Sequence, residues 1–316
     1  MEYRLLGTAG LKVSALGLGT WAMGGAVESW GVVDDRESIA TIHQAFDLGI
    51  TFIDTAPIYG LGHSEEIVGI AIQGRRDRVV LASKCGLTFP RRRDELPQRC
   101  LSRAHIFQEC ERSLKRLRTD WIDLYQCHWP DPGTPIRETM DALYALKERG
   151  WIRAIGLSNF SCEEIAAARE FGSIDSLQPP FSMLQMRSAE DLIPYCQEHG
   201  IGVLPYSPLS KGLLTGKFAA GDKYQGIRAR DPDFVGKRYH RNLSLVESLR
   251  PIADQYGISI MQLVLNWTAG FPGVTAPIVG AKRPSQVAEQ VGALGWQLAA
   301  ADRANIDGML KNFHGA

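Results

Sequence analysis

The sequence predicts an α/β protein, a (β/α)8 TIM barrel with an N-terminal β-hairpin and a long loop after the seventh barrel strand. Three observations carry that expectation. Strand-like and helix-like segments alternate along nearly the whole chain, the order that builds a parallel sheet covered by helices. The strand-like runs are apolar enough to expect burial on both faces, as parallel strands do. Eight such runs in a chain of 316 residues is the count of a barrel. No linker rich in Pro, Gly or Ser divides the chain, so a single domain over residues 1–316 is expected.

The elements follow in order. Tyr3 to Gly7 and Leu11 to Leu16 are short extended runs around a Thr-Ala-Gly turn, which makes a hairpin. Gly17 to Trp21 ends the first barrel strand with a bulky aromatic in its loop. Its glycines do not fit G-x-G-x-x-G, and no helix opens on them, so a dinucleotide fingerprint is not indicated. A helical pattern runs from Asp35 to Gly49. The remaining strands are read at Thr51 to Asp54, Val79 to Lys84, Ile122 to His128, Ile152 to Ser158, Ser176 to Gln178, Gly202 to Tyr206 and Thr275 to Val279. Helical patterns between them include Phe107 to Leu117, Ile136 to Arg149, Glu163 to Phe171, Asp191 to His199 and Leu243 to Tyr256. Ser64-Glu65-Glu66 reads as a capped helix start. The polar stretch from Ser210 to Asn242 is too long for an ordinary connection and is expected to be a functional loop over the site.

Composition narrows the function. Lys plus Arg and Asp plus Glu are both 35, and this balance argues against a nucleic-acid protein. The one basic run, Arg91-Arg92-Arg93, is a solvated loop or, less favoured, a contact for an anionic substrate. The six cysteines form no C-x-x-C pair, no basic-then-apolar leader opens the chain, and no apolar run spans a bilayer. Reduced thiols in the cytoplasm, with no membrane partner, are the expectation. The oligomeric state is not encoded legibly.

In a barrel the chemistry gathers at the C-terminal ends of the strands. Unusual residues fall there: Trp21, Asp54, Lys84, His128, Ser158-Asn159, Gln178, Tyr206-Ser207 and Gly280-Ala281-Lys282. Asp54 closes an apolar run, and a turn on Pro57 then delivers Tyr59. A buried carboxylate needs a cation, and Lys84 ends the next strand. A lysine beside Tyr59 favours the phenolate and is expected to pull the phenol below its usual pKa of ~10. Tyr59 then becomes a general acid nearer neutral pH. His128 can hydrogen-bond a carbonyl oxygen and fix its position. Singly, such residues are often caps, packing or satisfied core groups; four at the ends of successive strands are a less ordinary coincidence. A metal centre is not indicated, because adjacent Cys127 and His128 point to opposite faces and no other ligand spacing suits zinc.

At these residues the chain resembles the aldo-keto reductase family. Asp54-Thr55-Ala56-Pro57-Ile58-Tyr59-Gly60 followed by Ser64-Glu65 is similar to its signature, and so are the stretches from Ile122 to Asp131 and from Ile155 to Phe160. Pro205 to Leu209 with Gly212 to Lys217 is similar to the bacterial branch that contains general-stress and sugar-linked reductases. Potassium-channel β subunits look like more distant relatives. The resemblance implies a tetrad of Asp54, Tyr59, Lys84 and His128, with Tyr59 as proton donor, and NADPH bound without a Rossmann fold. It places the nicotinamide carboxamide at Ser158, Asn159 and Gln178 and its ring on Tyr206. The pyrophosphate falls to Ser207, Pro208, Leu209, Lys211, Gly212 and Leu213. The adenosine end falls to Gly280, Ala281, Lys282, Arg283, Gln286 and Gln290, with the two cations on the 2′-phosphate. Gln286 stands where an arginine is common, and Gln290 where asparagine is. Trp21, Tyr59, His128 and Trp129, with Tyr224 and Tyr239 on the long loop, are expected to line the pocket of a small carbonyl substrate. Two rival readings are a Schiff-base aldolase using Lys84 and an NADPH-binding accessory subunit with little turnover.

Overall fold

The computed structural model describes residues 1–25, 30–90 and 95–315. The basic run Arg91-Arg92-Arg93 lies outside them. Strands β1 (Tyr3–Leu6) and β2 (Leu11–Ser14) pair antiparallel as the expected hairpin, with Leu6 opposite Leu11. Eight parallel strands follow: β3 (Gly17–Gly19), β4 (Phe52–Asp54), β5 (Val80–Cys85), β6 (Ile122–Cys127), β7 (Ile152–Ser158), β8 (Ser176–Gln178), β9 (Gly202–Val203) and β10 (Ile278–Gly280).

They lie in chain order, and β10 returns to pair with β3, Ile278 opposite Gly17. The seam between β9 and β10 is closed by bridges Val203–Val274 and Tyr206–Ile278, with Ile278 N donating to Pro205 O at 2.7 Å. Regular pairing is short there because Pro205 and Pro277 have no N–H to give. This is why β9 stops at Val203 although the apolar run reads on to Tyr206.

The helices α1 (Asp35–Asp47), α2 (His63–Ala71), α3 (Arg103–Leu117), α4 (Ile136–Glu148), α5 (Cys162–Arg169), α6 (Leu192–Glu198), α7 (Gly236–Ser248), α8 (Arg250–Gln255), α9 (Ile260–Ala269), α10 (Pro284–Val291) and α11 (Ala300–Gly315) complete the chain. Capping boxes at Ser161/Glu164 and Ser259/Gln262 start α5 and α9. The pattern from Leu243 to Tyr256 is two helices, because Pro251 cannot continue the hydrogen bonding of α7. The capped start expected at Ser64 is not found. Helix α2 begins one residue earlier, and the Ser64 hydroxyl turns inward to donate to Thr20 O at 2.9 Å.

Side-chain alternation divides the core. Leu81 and Cys85 of β5, with Tyr125 and Cys127 of β6, face the helices. Val80, Ala82 and Leu124 face the barrel axis with Phe52, Ala154, Leu204 and Ile278. Leu6 and Val13 of the hairpin join this inner cluster and plug the N-terminal end. The long segment after β9 has a small core of its own, Leu213, Phe234 and Tyr239 with Phe218 and Tyr224 against it. The two tyrosines expected to line the pocket are therefore spent on packing: Tyr239 is 5% exposed, and the two hydroxyls bond each other. Among the described residues no helix is long and apolar enough to cross a membrane.

Candidate active site

Above the apolar floor the barrel interior turns polar. The inward positions one step further along the strands are Asp54 on β4, Lys84 on β5, Gln126 on β6 and Gln178 on β8, all buried. Lys84 Nζ donates to Asp54 Oδ1 at 2.7 Å, to Thr55 O at 3.0 Å and to the Tyr59 hydroxyl at 3.2 Å. One ammonium thus spends its three hydrogens on a carboxylate, a carbonyl and a phenol. Burial alone opposes the charge on Lys84, but the attraction of Asp54, aided by Tyr59, outweighs it and holds the lysine above its usual range.

Tyr59 reaches this point through local geometry. Tyr59 N donates to Ala56 O at 3.1 Å, closing a turn with Pro57 at its second position. Gly60 then takes φ +61°, and a Cβ there would lie 2.0 Å from Gly24 O, so only glycine fits. The expected lowering of the Tyr59 pKa is corrected by the structure. Burial raises it most, the Lys84 charge opposes this, and Asp54 adds to it, leaving the phenol above its usual value. Tyr59 therefore stays protonated at neutral pH.

His128 follows β6, its N–H bonded to Cys85 O at 2.8 Å and its ring edge-on to Tyr59, centroids 6.0 Å apart. Burial, and secondarily the Lys84 charge, push its pKa well below the usual histidine value. The ring is neutral at pH 7, with one N–H donor and one acceptor. Trp21 stands on the other side of Tyr59, centroids 6.2 Å apart, and is 39% exposed. Trp129 carries the Arg99 guanidinium 5.2 Å above its ring. Cys127 faces the helices while His128 follows on the barrel side, so the two share no site.

The remaining strand ends are joined in one chain of bonds. Ser158 Oγ donates to Gln178 O at 2.9 Å, and Asn159 Nδ2 to Ser158 Oγ at 3.0 Å and His128 O at 2.9 Å. The Tyr206 hydroxyl donates to Asn159 Oδ1 at 2.9 Å. Burial, then the nearby Tyr59, pushes Tyr206 up to about 12. Gln178 Nε2 donates to Asp54 Oδ2 at 2.9 Å.

Beyond them Ser207, Ser210 and Lys211 hold positive φ of 56°, 45° and 56°, a costly backbone for residues other than glycine. Leu209 and Leu213 are buried beneath this segment. Lys211 is paired with Asp231 of the long loop, and Arg228 Nε donates to Lys211 O at 2.8 Å.

At the far side, Gln286 Oε1 accepts from Lys282 N at 2.7 Å and Arg283 N at 3.2 Å, fixing the entry to α10. Gln290 Nε2 donates to Gly280 O at 2.9 Å, while its Oε1 is buried with no partner among the described residues. Lys282 Nζ donates to Trp30 O, and the Arg228 guanidinium lies 5.3 Å over the Trp30 ring. Burial, then the charges of Arg228 and Arg283, lower the Lys282 pKa, so these cations crowd one another. Glu37 approaches Arg283 at 3.5 Å.

Sequence reasoning missed Gln126, Trp30 and Arg228. Gln126 carried a signal, being the one amide in an apolar run and two residues from His128 on the same face. Arg228 and Trp30 carried none that sets them apart in their loops.

A model of the Aldo/keto reductase family matches residues 15–311. The chain is 43% identical to the aldo-keto reductase YhdN of Bacillus subtilis, over 99% of this chain and 94% of that one. It is 37% identical to an NADH-specific methylglyoxal reductase of Escherichia coli, over 94% of each. The solved glycerol dehydrogenase of Gluconobacter oxydans superposes with a TM-score of 0.90 at 37% identity, covering 98% of this chain and 95% of that one. An eight-stranded barrel plugged by a hairpin, a phenol on a buried ammonium, and a match over nearly the whole length agree: this chain belongs to the aldo/keto reductase family and is a nicotinamide-dependent oxidoreductase acting on carbonyls.

Proposed function

We propose that the chain is an NADPH-dependent reductase of small aldehydes or ketones, sugar-derived ones included, with Tyr59 as general acid. The observation that carries this is Lys84 Nζ standing between Asp54 Oδ1 at 2.7 Å and the Tyr59 hydroxyl at 3.2 Å. When bound, the cofactor supplies the hydride. Tyr59 gives its proton to the carbonyl oxygen, and Lys84 steadies the phenolate left behind. Neutral His128 donates its ring N–H to the same oxygen, so the negative charge that develops meets two donors. Asp54 keeps Lys84 charged. Trp21 and Trp129 are the walls of the substrate pocket.

The residues fit the cofactor. Gln290 Oε1 is a buried acceptor awaiting a donor, such as an adenine amino group. Arg228, Lys282 and Arg283 gather positive charge that an adenosine 2′-phosphate would relieve. Ser158, Asn159 and Gln178 face the carboxamide, Tyr206 the ring, and residues 207–213 the pyrophosphate. Arg228 strengthens the expectation of NADPH over NADH. The Schiff-base alternative is disfavoured, because such a lysine must shed its charge and Lys84 is held charged. We place the protein in the cytoplasm as one domain over residues 1–316, with its six cysteines free.

The test is loss of NADPH absorbance with a panel of aldehydes, keto-sugars and aromatic carbonyls. Turnover on at least one class, abolished in Tyr59→Phe with NADPH binding intact, is expected. Tight NADPH binding with no turnover on any member would favour the accessory-subunit reading, which fits the 35% identity to a probable voltage-gated potassium channel subunit beta of Arabidopsis thaliana.

A further inference from the structure

Gln126 has no part in the roles assigned above, yet it lies at their centre. It is fully buried inside the barrel on β6. Its Nε2 donates to Asp54 Oδ2 at 3.3 Å, and its Oε1 accepts from Gln178 Nε2 at 3.3 Å. Gln178 Nε2 also donates to Asp54 Oδ2 at 2.9 Å. The adjoining wall, strand β7, leaves room for this side chain. A Cβ on Gly156 of β7 would lie 2.7 Å from Gln126 Cγ, so the glycine of that wall makes room for a straight, unbranched chain.

The network settles which way round Gln178 sits. A primary amide can flip, presenting either its NH2 or its oxygen to a neighbour. Here the inner neighbours of Gln178 are two acceptors, the Asp54 carboxylate and the Gln126 carbonyl. Both hydrogens of Gln178 Nε2 are therefore drawn inward. Its Oε1 is turned away from them, and among the described residues no hydrogen bond reaches it. An outward carbonyl oxygen is an acceptor and matches an amide N–H. Flipped, Gln178 would show N–H groups to the same partner and repel it.

We propose that Gln126 is a positioning residue that locks the Gln178 amide, so that its oxygen faces the nicotinamide carboxamide N–H of the cofactor. This rests on the cofactor reading given above. It makes Gln126 a determinant of how the enzyme recognises the carboxamide, acting through Gln178 and not by touching the cofactor.

The experiment compares three ligands by titration of tryptophan fluorescence. NADP+ carries the carboxamide, its 3-acetylpyridine analogue lacks the amide hydrogens, and 2′-phospho-ADP-ribose lacks the nicotinamide. The wild type is expected to favour NADP+ over the acetylpyridine analogue by roughly tenfold, the worth of one hydrogen bond in a buried site. Gln126→Met, which keeps the straight shape beside Gly156, is expected to shrink that ratio by roughly threefold, since Gln178 Nε2 keeps its bond to Asp54 Oδ2 at 2.9 Å, while leaving 2′-phospho-ADP-ribose binding unchanged. In a Gln178→Met background the Gln126→Met change should have no further effect on the ratio, since both residues act on one bond. Gln126→Glu at pH 6, its acid form favoured by burial and by the neighbouring Asp54 carboxylate, places an O–H toward Asp54 and a C=O toward Gln178, so it should restore the wild-type ratio. An unchanged ratio in Gln126→Met, an equal loss for all three ligands, additive effects in the double variant, or no rescue by Gln126→Glu would each overturn the proposal. A wild type that binds 2′-phospho-ADP-ribose and NADP+ equally would overturn it too. One that binds none of the three would instead overturn the cofactor reading beneath it.

Discussion

Two buried ion pairs flank β5, and their differences separate chemistry from scaffolding. Lys84 and Asp54 sit inside the barrel, 2.7 Å apart. Arg116 of α3 and Glu65 of α2 sit outside it, also 2.7 Å apart, with the Glu65 side chain fully buried. Both pairs have left water, at a cost that geometry and extra hydrogen bonds must offset. Outside, the partners offset much of that cost, although burial still holds the Glu65 carboxyl above its usual range. Glu65 Oε1 accepts from Ser83 Oγ at 2.6 Å, and Arg116 Nη2 donates to Ser113 Oγ at 3.3 Å. Every partner there is protein, held on two helices and a strand. Inside, the third partner of the cation is a phenol that can lose a proton, standing beside the barrel mouth. The choice of cation agrees. A guanidinium is a fixed fork suited to a static carboxylate, whereas an ammonium is a compact charge that strengthens its hold as a neighbour ionises. The same pairing motif is closed in one place and left open to reaction in the other.

The contrast breaks first at the outer pair. Arg116→Met leaves Glu65 buried without its cation and is expected to cost about 3–5 kcal/mol of stability, read from denaturant melts. Its effect on kcat in the protein that remains folded should be slight. A variant as stable as the wild type would mean that Glu65 takes up a proton on folding at no penalty, and burial already pushes its pKa upward. The inner pair should behave the opposite way. Tyr59→Phe keeps the ring and removes the acid, so kcat is expected to fall by at least ~10²-fold, about 2.7 kcal/mol, with the melting temperature near that of the wild type.

The cation cluster offers a smaller effect. Lys282→Ala should raise the KM for NADPH by roughly tenfold and leave that for NADH nearly unchanged, the worth of one charge-assisted contact to phosphate. Equal changes for both cofactors would detach Lys282 from the 2′ end.

The smallest expected effect concerns pH. His128 has a folded pKa well below that of the unfolded chain. As pH falls below ~6.5 the unfolded chain gains a proton that the folded one refuses, so stability is lost toward acid and is fully present above neutrality. His128→Asn should therefore lose less in melting temperature between pH 7.5 and pH 5 than the wild type, the carboxylates being common to both. A steeper loss in the variant would show that His128 is protonated in the fold.

Much of this was legible beforehand because strand ends are marked by charge. Asp54, Lys84 and His128 each close an apolar run, and an apolar run fixes both burial and direction. Their meeting could be inferred from strand order alone. The sign of the Tyr59 shift could not. It depends on whether burial or the Lys84 charge weighs more, and adjacency in sequence does not weigh them. Gln126 was passed over because an amide inside a strand looks like tolerated polarity until its two partners are known. Tyr224 and Tyr239 misled for a related reason. A long polar loop with aromatics reads as a pocket wall, but Phe218 and Phe234 give those rings a cluster to join. The Ser64 cap failed because its hydroxyl had a better offer from Thr20, forty-four positions away.

The hairpin at the chain's start sets the traffic of the whole catalyst. With Leu6 and Val13 packed beneath Phe52, Leu124 and Ile278, the barrel opens at one end alone. Whatever binds at the mouth must leave by the doorway it entered.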